Sequence, residues 1–158
     1  MSSPSASIDA FLAGPQSVRK AVAGMNRDQL RSRPIPGKWS TLEVVCHLVD
    51  SDQAWLHRMK RIIAEDKPLL IGYDERRFAA ALGYHDRDIE EELALLENGR
   101  RQMGHVLRQL PAEAFSRTGI HSELGSVTLA ECLRLEADHI PHHLRFIDEK
   151  RGVLGLGR

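Results

Sequence analysis

Cysteine is scarce in this chain of 158 residues: Cys46 and Cys132 are the only two, too few for a disulfide framework and in keeping with a reducing cytoplasm. Aromatic residues make up only 5%. Charge of one sign has no surplus either, because 22 Lys and Arg face 22 Asp and Glu. Nucleic-acid-binding domains carry a basic excess that displaces counterions from phosphates, so a nucleic-acid partner is not expected. No apolar run approaches the roughly 20 residues that span a bilayer, and the opening MSSPSASIDAFL has neither a basic stretch nor a long apolar one, so no membrane partner is expected. What is plentiful is apolar residue content, at 42%, enough to bury a core in one domain. Histidine is plentiful too. There are 8, as many as all Phe, Trp and Tyr together, and His139, His142 and His143 fall within five residues.

Punctuation along the chain predicts helices. Ile8 to Val22 has an amphipathic pattern, with Gly14 and Pro15 predicting a kink or a two-piece start. Pro34, Pro36 and Gly37 then force a loop. Ser40 or Thr41 can cap a second helix that runs to about Glu65, before Pro68. A third should start near Asp86 or Asp88, whose neighbourhood is acidic, and stop before Pro111, with Arg100, Arg101 and Arg108 in the half the helix dipole favours for cations. The polar FSRTGIHSELGSV reads as a loop or a small hairpin. Thr128 with Glu131 forms a capping box for a last helix reaching about Lys150. The prediction is an all-α four-helix bundle over residues 8–151, with a disordered start at 1–7 and a flexible tail at 152–158.

On a helical wheel of the last helix, His143 lies about 20° from the apolar centre, His139 about 60° and His142 about 120°. His139 and His143 therefore face the core together, while His142 sits at the polar margin. Their i, i+4 spacing puts the Cβ atoms roughly 5–6 Å apart, which suits two imidazoles converging on one ion. Two core histidines lining a wet cavity would show the same pattern, and the protease motif HExxH is absent because position 140 is Ile. Pro141, between the two, should bend the helix. A third ligand would have to come from another helix, where His47 and His57 are candidates and the wheel leaves His47 on a flank. Asp50 stands three residues after His47, and Glu136 three before His139, so each is close to a candidate ligand. For Glu136, an ion pair with an arginine such as Arg58 outweighs the roles of fourth ligand or general base. Asp52 invites the same reading, and both cysteines read as core thiols. His57, His85 and His105 read as surface or cap residues, and His121 as a residue at the rim of a pocket.

The string RPIPGKWSTLEVVCHLVDSD resembles the opening signature of the DinB/YfiT-type superfamily of small bacterial four-helix bundles: a Pro-Gly-Lys-Trp-Ser loop at residues 36–40, then a His-Leu pair at His47 and Leu48 followed by Asp50 and Asp52. The likeness continues through PLLIGYDERRF, where Phe78 stands in place of the family's frequent Trp, and ends in HSELGSVTLAECLRLEADHIPHHLRFI. The resemblance implies a three-histidine metal site of His47, His139 and His143, holding a divalent ion such as zinc, nickel, manganese or iron. It also implies metal-dependent hydrolysis or transfer to low-molecular-weight thiols, a small-molecule or thiol substrate, and a homodimer. The competing expectation is a non-catalytic metal- or ligand-binding bundle.

Overall fold

The computed structural model describes residues 4–157. Four long helices make the frame: α1 (Pro4–Val22), α3 (Thr41–Ala64), α5 (Ile89–Arg108) and α6 (Leu129–Val153), with short α2 (Arg27–Arg31) and α4 (Glu75–Ala81) in the connections. Both α1 and α3 pack against α5 and α6, so α1 lies diagonal to α3 and α5 diagonal to α6. Three of the four long helices have starts fixed by side chains. Ser40 and Thr128 each accept from the backbone N–H three residues on, Glu43 and Glu131 return the bond, and Asp88 accepts from Glu90 and Glu91 N–H. Arg33 pairs with the Glu43 carboxylate and locks the Pro-rich loop onto the start of α3.

Several expectations change. Helix α1 begins at Pro4, so residues 4–7 are helical rather than disordered; residues 1–3 and 158 lie outside the described residues. Nor is α1 split at Pro15, and both Gly14 and Pro15 are buried within it. At the other end, α6 continues to Val153, and Arg151 donates to the carbonyls of Leu156 and Gly157 at 3.3 and 3.0 Å and to those of Ala21 and Ala23 at 3.1 and 2.9 Å. The segment 152–157 is thereby held against the end of α1 instead of forming a free tail. Pro141 leaves α6 a single helix and faces solvent, where the hydrogen bond it forfeits falls on the water side. The polar stretch before α6 is a hairpin, β2 (Thr118–His121) with β3 (Gly125–Thr128), to which β1 (Leu69–Leu70) adds a parallel edge.

The apolar core is in two parts. One joins Phe11, Met59, Met103 and Leu133; the other joins Val18, Val45, Leu96 and Ile140. Between them lies a polar layer with one member from each long helix: Gly14, Asp52, Arg100 and Glu136. Arg100 donates to Asp52 at 2.7 Å, to Glu136 Oε2 at 3.3 Å, to the Glu136 carbonyl at 3.1 Å and to the Phe11 carbonyl at 2.9 Å. All three charged side chains are 1–2% exposed. Gly14 makes room for them, since a Cβ there would stand 2.7 Å from both Arg100 Nη1 and Ile140 Cδ1. Among the described residues, no helix is long and apolar enough to cross a membrane.

Candidate metal centre

Successive turns of α6 present His139 and His143, and α3 brings His47 against them. His47 sits one turn past Glu43, so the capping box that starts α3 also sets its position. One ligand atom from each of the three rings lies within 4.8 Å of the other two, and the ring centroids are 4.6 to 5.2 Å apart. Trp39, from the Pro-rich loop, packs on the His47 ring at 5.3 Å. The wheel put His47 on a flank because it averages over a whole helix, whereas the α3 segment from Thr41 to Val49 is buried on all sides.

The donor set fits a divalent cation. Both ring nitrogens of His47 and the Nδ1 atoms of His139 and His143 are buried without a hydrogen-bond partner among the described residues. Unpartnered buried nitrogens on three converging rings are costly unless something else satisfies them, and an ion bound to their lone pairs would do so. Burial, with the neighbouring imidazoles adding to it, holds His139 and His143 down at about pKa 3; burial also lowers His47, against the pull of Glu75 and Asp50. The rings are thus neutral at ordinary pH, the form that coordinates metal.

The other residues singled out by sequence fall elsewhere. Asp50 does not join the cluster, because Arg87 engages both its oxygens at 3.0 and 3.2 Å. Glu136 pairs with Arg100 and not with Arg58; burial and the adjacent Asp52 raise it to about 8, and it hydrogen-bonds Asp52, so the acid pair keeps a proton. Arg58 lies over Trp55 and donates to the Ile71 carbonyl at 2.6 Å. His121 is buried away from the cluster, stacked on Trp55 with 9° between planes and accepting from the β2–β3 turn through Nδ1. His142 is exposed, with its ring edge against Phe146. Both cysteines are buried and their thiols are pushed up to about 12, which leaves them inert.

A cleft of about 480 Å³ opens beside His143, with Trp39, Phe146, Glu75 and Arg76 in its wall. Glu75 was not anticipated. Its Oε2 lies 3.8 Å from His47 Nε2, and its side chain is 56% exposed. The signal was Asp74, which caps α4 by accepting from Arg76 and Arg77 N–H and fixes Glu75 in the first turn. Arg100, placed by sequence only in the C-terminal half of α5, is the other omission; it continues the stripe Leu93, Leu96, Met103, Leu107, whose spacing marks the buried face.

The DinB superfamily profile matches residues 10–147. The chain belongs to the DinB superfamily. Within it, the chain is 32% identical over 133 residues to a protein of Oceanobacillus iheyensis named a "putative metal-dependent hydrolase", covering 84% of this chain and 77% of that one. It is 30% identical over 142 residues to the Bacillus subtilis protein of the same description called YfiT, covering 89% of this chain and 80% of YfiT. A solved YfiT structure, described as "a probable metal-dependent hydrolase with an unusual four-helix bundle topology", superposes with a TM-score of 0.90 at 28% identity over 96% of this chain and 87% of that one. The four-helix architecture of this DinB-superfamily protein is therefore that of a solved relative.

Proposed function

We propose that this DinB-superfamily protein is a metal-dependent hydrolase of small molecules, with His47, His139 and His143 as the ligands of one divalent ion. The observation that carries the reading is the convergence of three neutral imidazoles, with unpartnered buried nitrogens, beside a solvent-open cleft that His143 lines. Three protein ligands leave coordination positions free, which distinguishes catalytic from closed structural sites. When bound, the ion supplies Lewis acidity and lowers the pKa of water toward about 7. Zinc, nickel, manganese and iron all accept imidazole, so the donor set does not choose among them.

The chain's own groups supply the rest. Trp39 and the polar wall of the cleft orient the substrate; Glu75, at the mouth beside His47, accepts the proton of the attacking water at its carboxylate. A low-molecular-weight thiol could stand in for that water, which would make the enzyme a thiol S-transferase, and the names of the relatives favour hydrolysis. Metal content decides the core of the proposal. Purified protein should carry a stoichiometric divalent ion by elemental analysis, and His47→Ala, His139→Ala and His143→Ala should each lose it. Wild-type protein that takes up none of the four ions would refute the site. Metal-loaded protein turning over thiol-acceptor pairs but no ester, amide or similar bond in water would replace hydrolysis with thiol transfer.

A further inference from the structure

One stripe of α6 presents, in order, His139, His143, Phe146 and Lys150. The first two belong to the histidine cluster. Lys150 lies two turns further on, roughly 10 Å along the axis, in the wall of the same cleft as His143. It is 2% exposed. Its Nζ donates to the Phe146 carbonyl at 2.9 Å, and it pairs with no carboxylate among the described residues. A buried ammonium is ordinarily neutralised by an acid, and here one of its three donors is used. Glu149, exposed in the same cleft wall, and buried Glu43 act on it through space, but neither forms an ion pair with it.

Other groups agree with Lys150. Lys38, from the Pro-rich loop, and Arg76, from α4, add positive charge to the cleft wall, against exposed Glu75 and Glu149. Trp39 and Phe146 give it two aromatic surfaces. Burial pulls the Lys150 pKa below its ordinary value, the strain that an incoming anion would relieve.

We propose that the cleft selects small substrates with an anionic head and an apolar body, the head on Lys150, the body between Trp39 and Phe146, and the reacting group toward His143. Lys38 and Arg76 draw the anion in. The inference rests on the histidine cluster being the reaction centre and names the substrate class for it.

Calorimetric titration of the full-length, chelator-treated protein tests the subsite without letting the anion bind metal directly. The probes are phenylacetate, phenylphosphonate and neutral 2-phenylethanol, which share a body and differ in head. Wild type should bind at least one anion tenfold or more tighter than the alcohol, and the tighter of the two anions identifies the head as carboxylate or phosphate class. Lys150→Met should bring all three probes to the alcohol's affinity while loading metal as wild type does. Lys38→Glu, an exposed change that leaves the fold alone, should weaken the anions several-fold and the alcohol not at all. Equal affinity for anion and alcohol in wild type, or undiminished discrimination in Lys150→Met, would overturn the proposal; should that variant fail to fold, unchanged anion binding in Lys38→Glu would do so. Failure of the metal reading looks different: no ion uptake by wild type, with anion preference intact.

Discussion

At the scale of single residues, the site turns on imidazoles kept neutral and a carboxylate kept wet. Glu75 is about half exposed beside His47, where it reaches the water that a general base deprotonates. Glu75→Gln should retain metal and lower turnover by about 10²–10⁴-fold, the usual worth of a positioned base; metal analysis beside steady-state kinetics measures both, and unchanged turnover would remove Glu75 from the mechanism. The histidines predict a pH response. His139 and His143 titrate near 3 in the folded, metal-free protein, against about 6.5 when unfolded. Between those values the unfolded chain binds more protons, so stability is intact above about pH 6.5 and declines as pH falls toward 3. Urea midpoints of chelated protein across that window should show the decline, and His139→Gln/His143→Gln should flatten it.

At the scale of elements, the sequence made the four long helices legible because their ends are chemical: Ser40, Asp88 and Thr128 are the caps that the pattern pointed to. It did not reveal α4, whose seven residues bury nothing and so carry no periodic stripe. His139 and His143 could be selected by spacing alone, whereas His47 required the family signature, as its helix face is set by what packs around it. Arg100 was placed along α5 by its charge and the helix dipole, and its position in the buried α5 stripe, which the spacing also carries, went unread. Gly14 belongs to this scale too. Gly14→Ala would gain about 1 kcal/mol of helix propensity. It must also displace Arg100 Nη1, part of a guanidinium that Phe11, Asp52 and Glu136 hold in place, and overpacking of that kind costs about 1–3 kcal/mol. The net expectation is a lower thermal midpoint; a raised one would show the layer to be soft.

At the scale of the whole molecule, the two apolar cores meet at a buried ion network. Arg100→Met removes the cation and strands two carboxyl groups, so it should destabilise the fold by about 3–5 kcal/mol at neutral pH. The loss should shrink in acid, where Asp52 and Glu136 both hold protons, and adding Asp52→Asn and Glu136→Gln should recover part of it. Denaturant titration of the single and triple variants at two pH values measures this. The network also has a geometric effect. Apolar side chains tolerate a helix sliding along its neighbour, since one leucine replaces another, but a guanidinium bonded to Phe11, Asp52 and Glu136 admits a single alignment of the helices. A slip of one turn, roughly 5.4 Å, would exceed the whole spread of the three histidine donors. The arginine thus acts as a locating pin: through Glu136, three residues from His139 on α6, and Asp52, five from His47 on α3, it transfers the precision of a buried salt bridge to a cluster that it never touches.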